Sequence, residues 1–215
     1  MPQVTRYHHG DLRAALVGAG LELARDGGPD AITVREVTRI AGVSPAAAYR
    51  HFDDLRALTT AVALAAQDHM AEAIVERIGA LMAHAPDEQD EAVQRLRGVG
   101  QGYIAFALAE PGWFALALLT FDDSEGPMVT TGAQAPAPFL LLVDALDRCA
   151  ETGALPAEAR EHAEWPCWSA VHGFADLATR GPLQCQSADE LAALGAHVVD
   201  RIIAGVGIGA TALAP

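Results

Sequence analysis

In the stretch Thr33–Phe52, TVREVTRIAGVSPAAAYRHF, the side chains of Arg35, Tyr49, Arg50 and His51 can each donate a hydrogen bond to an anion. Guanidinium, phenol and imidazole groups are among those that hold nucleic-acid phosphates. Between them, Ser44, Pro45, Ala46, Ala47 and Ala48 carry little bulk. A helix that slim can enter the major groove, which is about 12 Å wide. A second group lies far downstream. Trp168 and His172 are four residues apart, so on a helix they share a face. They suit a ligand pocket, with His172 offering a hydrogen bond and Trp168 a wall. They suit equally a core tryptophan beside a satisfied histidine. Trp113, Phe114, Phe121, Phe139, Trp165 and Phe174 crowd the same part of the chain, which points to an apolar cavity or a dense core.

Other chemistries find less support. Asp176 follows His172 by four residues, but no Ser or Cys sits in a recognisable nucleophile motif. No catalytic residue is assigned, and the expectation is a protein that is not an enzyme. His8 and His9 are adjacent, a poor arrangement for one metal ion; contacts to DNA from an N-terminal arm suit them better. Cys149, Cys167 and Cys185 are odd in number, 18 residues apart and without a CxxC pair. That fits a reducing cytoplasm better than a disulfide framework or a zinc site. No metal and no cofactor is expected. No apolar run approaches the roughly 20 residues that span a bilayer, and the first residues, MPQVTRYHHGDLR, lack a leader's apolar core. The expectation is a cytoplasmic protein without membrane contact.

The charge is unevenly spread. The 215 residues carry 14 Arg, no Lys and 28 acids, a formal net charge of −14. Residues 1–58 hold seven Arg and seven acids and are neutral, so residues 59–215 carry the whole excess. An acidic chain is a poor general polyanion binder. A neutral head can still hold phosphates locally, because screening over about 8–10 Å hides the distant charge.

The elements that must position these residues read as helices throughout. Leu12, Leu16, Ala19 and Leu23 recur at helical spacing, and Gly27-Gly28-Pro29 ends that helix. Thr33 with Glu36 predicts a capping box opening a second helix to about Ala41. Ser44-Pro45, an N-cap and a proline at the first helical position, opens a third to about His51. Asp54 caps a long fourth helix with Leu58, Val62, Ala65, His69, Ala73 and Ile78 on one face. Further helices are predicted over about 91–109, 113–119, 139–152, 157–180 and 188–206. Pro111-Gly112 reads as a turn and 122–138 as a loop. Gly153 and Gly181-Pro182 read as stops, and Ser187 as a cap. The fold class is all-α, about nine helices with no strand.

Two short helices joined by a tight glycine turn make a helix-turn-helix. Val34, Val37 and Ala41 supply its buried stripe, Gly42 the turn residue, and Val43 a plug into the core. Periodicity alone also allows an ordinary helical hairpin within a bundle. Leu191, Leu194, Val198, Ile202 and Val206 form a stripe widened by Val199 and Ile203. It is either intramolecular core or half of a four-helix bundle between two subunits.

The segment ITVREVTRIAGVSPAAAYRHFDDLRAL resembles the DNA-binding head of the tetracycline-repressor-like (TetR) regulators, and YHHGDLRAAL with LELARDGGPDAIT resembles its first helix. The resemblance covers about residues 8–70. It implies a three-helix head, with an arm at 1–9, the DNA-binding domain at 10–70 and its motif at 33–52. It implies further that Ser44–His51 is the recognition helix, that Tyr49 and His51 hold phosphates, and that Arg35 reaches a phosphate or a base edge. Pro45, Ala46 and Ala47 would face bases, with Thr33, Ser44 and Arg50 completing the set. The sequence departs from the family at Thr38, usually Ala, whose hydroxyl must find a carbonyl. It departs again at Leu55, where many members carry Lys or Arg and where Arg56 can substitute. Small base-facing side chains leave readout to thymine methyls, Arg35 and DNA shape.

Downstream, WPCWSAVHGFADL resembles the segment of a TetR subgroup named for its Trp, His and Gly, here Trp168, His172 and Gly173. This implies a six-helix regulatory and dimerisation body over 71–215. The whole then reads as a homodimeric, ligand-responsive repressor on double-stranded palindromic DNA. A small apolar or aromatic effector would lie among Trp113, Phe114, Phe139, Trp168 and His172. The alternatives are a dimer that binds DNA without a ligand, and a helical enzyme or carrier.

Overall fold

A computed structural model describes residues 12–117 and 135–208. Among the described residues there are nine α-helices and no strand. They are α1 (Leu12–Gly27), α2 (Val34–Ala41), α3 (Pro45–Ala48), α4 (Leu55–Met82), α5 (Glu88–Ala109), α6 (Pro111–Ala117), α7 (Ala137–Glu151), α8 (Glu164–Thr179) and α9 (Ala188–Gly205). The described residues divide into two compact units. One holds α1–α3, α4 through Ala66, and α6 from Gly112. The other holds α4 from Gln67, α5 through Pro111, and α7–α9. A boundary after Ala66 lies close to the 70/71 division read from sequence, but the segment from Gly112 goes with the head rather than the body.

Caps set most helix starts. Thr33, Asp87 and Ser187 each accept the backbone N–H three residues on. At Asp54 the same bond goes from Ala57 N–H to Oδ1, at 2.7 Å. Among the described residues only Ser187 with Glu190 makes the reciprocal capping box; the Glu36 carboxylate instead accepts from Arg39 Nε at 2.7 Å. Among the described residues no helix is long and apolar enough to cross a membrane. The arm at 1–9, with His8 and His9, and Phe121 with most of the predicted loop lie outside the described residues.

Four expectations are corrected. Regular α3 ends at Ala48, and the chain to Phe52 continues as turns, with His51 N–H on Ala48 O at 2.9 Å. In α4 the buried line runs Leu58, Val62, Ala66, Met70, Ile74 and Ile78, not through Ala65, His69 and Ala73. Steps of four advance about 40° each around the axis, so no single straight face contains it. Pro111-Gly112 is the first turn of α6 and not a loop. The expected helix 157–180 is a short 3-10 turn, Ala157–Ala159, followed by α8 from Glu164. His162 between them sits at φ 61°.

Candidate functional site

The head's surface is built by local bonds. Gly42 ends α2 at φ 69° and ψ 29°, a left-handed conformation that costs glycine little. Val43 N–H then bonds Thr38 O at 3.0 Å and turns the chain into the next helix. The Thr38 hydroxyl, 2% exposed, donates within its own helix, to Val34 O at 2.7 Å with Arg35 O at 3.1 Å. It thus finds the carbonyl that burial demands. Ser44 Oγ accepts from Ala47 N–H at 3.3 Å, and Pro45 occupies the first helical position. Ala48 and Phe52 anchor this helix in the core. Arg13 lies over the Phe52 ring, 5.1 Å from its centre.

With those two residues inward, the rest of the segment faces out. Thr33, Arg35, Ser44, Pro45, Ala46, Tyr49, Arg50 and His51 are exposed and Ala47 is half-buried. Tyr49 is 54% exposed despite its ring. Arg39 is held by Glu36, whereas Arg35 and Arg50 have no carboxylate partner among the described residues. The result is a surface of two unneutralised guanidiniums, a phenol and an imidazole around a slim helix. Leu55 is an exposed leucine beside it.

The structure divides the five aromatic candidates of the body. Trp113 and Phe114 lie in the head unit. The Trp113 indole N–H donates to Leu21 O at 2.8 Å, and Arg25 stacks on its ring at 5.1 Å. Gly112 beside it lies so near α1 that an added Cβ would sit 2.1 Å from Ala24 O. Phe139, Trp168 and His172 do come together in the body. Trp168 makes edge contacts to Phe139 at 5.5 Å and Tyr103 at 5.3 Å, and stacks on His172 at 6.3 Å.

Tyr103 is the member that sequence reasoning missed. It is 2% exposed, and its hydroxyl pairs with His172 Nδ1 at 2.9 Å. Burial pushes the Tyr103 hydroxyl well above the usual phenol range. Burial likewise holds His172 below its ordinary value, against the attraction of Asp176 and with the repulsion of Arg180. Near neutral pH the imidazole is therefore uncharged, with Nδ1 free to accept from Tyr103. No signal in a lone tyrosine of the run GVGQGYIAF announces a partner 69 residues away.

Beneath Trp168 lies an apolar cavity of about 20 Å3 lined by α5, α7, α8 and α9, including Leu96, Val99, Leu142, Cys167 and Val199. That is room for about one water. Burial pushes the Cys149 and Cys167 thiols up to about 11 and about 12, so both stay protonated. A larger open groove of about 610 Å3 lies elsewhere in the body, between Leu108, Thr179, Gln184, Gln186 and Leu191. No group of three or more possible metal ligands occurs among the described residues.

Comparison with known proteins places this geometry. Residues 16–62 match the family model of bacterial regulatory proteins of the tetR family. Residues 96–202 match the model of the tetracycline-repressor-like C-terminal domain. The chain belongs to the TetR family of transcriptional regulators. It is a helix-turn-helix DNA-binding protein, from a family of regulators and not of enzymes. The HTH-type transcriptional regulator YobS of Bacillus subtilis (strain 168) is 25% identical over 166 residues, 75% of this chain and 76% of that one. A structure of unknown function from Rhodococcus sp. RHA1 shares the fold at a TM-score of 0.66 and 24% identity, covering 94% of this chain and 98% of the other. A TetR from Acinetobacter baumannii AYE, solved in complex with minocycline, does so at 0.59 and 18% identity, covering 89% and 94%.

Proposed function

We propose that this TetR regulator is a ligand-responsive repressor that acts in the cytoplasm as a homodimer on a palindromic operator. The observation that carries the DNA reading is the exposed, unneutralised set Arg35, Tyr49, Arg50 and His51 around a helix slim enough for the major groove. In this reading Tyr49 and His51 hold phosphates, Arg35 reaches a phosphate or a base edge, and Pro45, Ala46 and Ala47 face bases, with Thr33, Ser44 and Arg50 completing the set. The domain limits are an arm at 1–9, a head at 10–70 and a body at 71–215. The body is of the Trp–His–Gly type, on Trp168, His172 and Gly173.

Dimerisation is supported by α9. Its inward line is Leu191, Gly195, Val199 and Ile203. The neighbouring line, Leu194, Val198, Ile202 and Val206, is left exposed or half-exposed, with Leu194 at 42% and Leu177 of α8 at 45%. A second copy covering both helices would bury it and set two recognition helices about 34–36 Å apart. Effector binding in the body would shift that spacing through α4, one continuous helix from Leu55 to Met82. Ligand and DNA would then weaken each other reciprocally. The minocycline complex of a TetR of the same fold supports a regulator that can hold a small molecule.

A second reading, a dimer that binds DNA without any ligand, gains from the tightness of the body core, where the aromatic site leaves only about 20 Å3. Selecting bound duplexes from a random pool, then screening compounds for release, tests both. A palindrome released by some compound supports ligand-gated repression. A palindrome released by none favours the second reading, and no selected duplex refutes both.

A further inference from the structure

The aromatic site can be read for the chemistry of its guest, on the proposed reading that the body answers to a ligand. Every side chain lining the cavity beneath Trp168 is uncharged. The polar pair at its rim is closed on itself, since Tyr103 Oη and His172 Nδ1 bond each other. No buried side-chain N or O among the described residues lacks a partner. A guest that sought a hydrogen bond from Tyr103 Oη or His172 Nδ1 would therefore have to break a bond already made. An anionic guest would also need a cation. Of the body's seven arginines, Arg95, Arg97, Arg148, Arg160 and Arg180 are each held by a carboxylate, Arg77 bonds Gln101, and Arg201 is exposed on α9. None lines the cavity.

The cavity must also grow, because ligand seats run to about 300–1,000 Å3. Its walls are not equally anchored. Apart from the half-buried Ile202, the aliphatic ones are buried side chains of packed helices, and Gly100 is pressed against Val199, where an added Cβ would meet Cγ2 at 2.9 Å. Trp168 is different. It is half-exposed, it is held by ring contacts to Tyr103, Phe139 and His172, and its indole N–H has no hydrogen-bond partner among the described residues. Trp113, by contrast, is pinned through its N–H.

We infer that this cavity is the seat of an uncharged, hydrocarbon-like group, and that Trp168 is the wall that swings outward to admit it. The remaining lining then reshapes around the guest while the Tyr103–His172 bond stays closed.

Three probes of one shape separate charge from size: toluene, benzoate and benzylammonium. Protein labelled with 5-fluorotryptophan carries three reporters, Trp113, Trp165 and Trp168, assigned through single Trp→Phe variants. Toluene should shift the Trp168 resonance saturably and leave Trp113 in place. The two charged probes should bind at least about a hundredfold more weakly, since a buried unpaired charge is strongly penalised. Leu142→Ala, or Val99→Ala should the first not fold, should tighten toluene binding about tenfold by enlarging the seat, and Gly100→Ala should weaken it. Equal binding of a charged probe overturns the inference. So does saturable toluene binding that leaves Trp168 unmoved, which would put the guest in the groove beside Gln186, and so does no binding in wild type or enlarged variants. Operator affinity is measured in parallel. Toluene bound at Trp168 without release of DNA refutes ligand gating and leaves the cavity assignment standing.

Discussion

Gly112→Ala is the sharpest perturbation that the head offers. Its Cβ would stand 2.1 Å from Ala24 O and 2.4 Å from Arg25 O. Both are backbone atoms inside α1, so no side-chain rotation relieves the clash. Restoring an ordinary contact of at least 3.4 Å requires a displacement of about 1.3 Å. The Trp113 N–H to Leu21 O bond, now 2.8 Å, would stretch to about 4.1 Å under the same displacement and be lost. A neutral hydrogen bond contributes about 0.5–1.5 kcal/mol and the Arg25–Trp113 stack about 0.5–1 kcal/mol. Overpacking itself costs about 1–3 kcal/mol. A destabilisation of about 2–5.5 kcal/mol follows. The control is Gly18→Ala in α1, which meets nothing within 4 Å and should stabilise by up to about 1 kcal/mol through helix propensity. Urea unfolding of both variants, with the Trp113 fluorine resonance as local reporter, is the assay. If Gly112→Ala unfolded at the wild-type midpoint with Trp113 unchanged, the docking of α6 on α1 described above would be wrong.

Tyr49→Phe and His51→Ala should each weaken binding to operator and to unrelated duplex alike, by about 1.5–3 kcal/mol. A change confined to base preference would move these residues off the phosphates. Operator affinity should fall roughly 10³–10⁵-fold between 50 and 200 mM salt, given about six to ten phosphate contacts, and a flat response in a filter-binding titration would count against this docking. The pH prediction concerns His172. Its folded-state value lies below the ordinary one of about 6.5, so the unfolded chain binds the proton more readily. Stability should therefore be highest above about pH 6.5 and fall on acidification until the folded-state value is passed. Asp176 and Arg180 of α8 and Tyr103 of α5 surround this imidazole, so urea midpoints at pH 7.5 and 5.5 should be compared between wild type and His172→Gln. An unchanged gap between the two midpoints in the variant would remove His172 as the cause.

Where helix boundaries are set by near neighbours, they were legible. Thr33, Gly42, Ser44-Pro45, Asp54, Gly153 and Ser187 all act through bonds to residues within about five positions, and each stands where the sequence places it. Tertiary demands are less visible. The line AEAREHAEW reads as continuous helix. Yet Arg160 is pulled to Asp147 of α7 at 2.7 Å and to Glu164 at 2.9 Å, and the chain turns at His162 before α8 begins. The α4 stripe failed for a related reason. A period of four matches neither a straight face nor a short amphipathic pattern, and the helix belongs to two compact units with separate cores.

The exposure of the segment proposed to face DNA was legible in what is missing there, namely bulk in Ala46 and Ala47. The aromatic site was only half legible. Residue type puts Trp168 and His172 on one face, but it cannot say that Trp113 bonds Leu21 in the head, or that Tyr103 closes on His172 across 69 residues. Nor do pocket and core form a real choice here. A tryptophan in ring contact with Tyr103, Phe139 and His172 is core by every contact it makes. The same tryptophan borders an apolar cavity of about 20 Å3 and lacks the hydrogen bond that fixes Trp113. What separates a wall from a core residue is therefore not its identity but how much free energy its displacement costs. For Trp168 that cost is its ring contacts and the apolar surface that its displacement exposes, with no hydrogen bond to break.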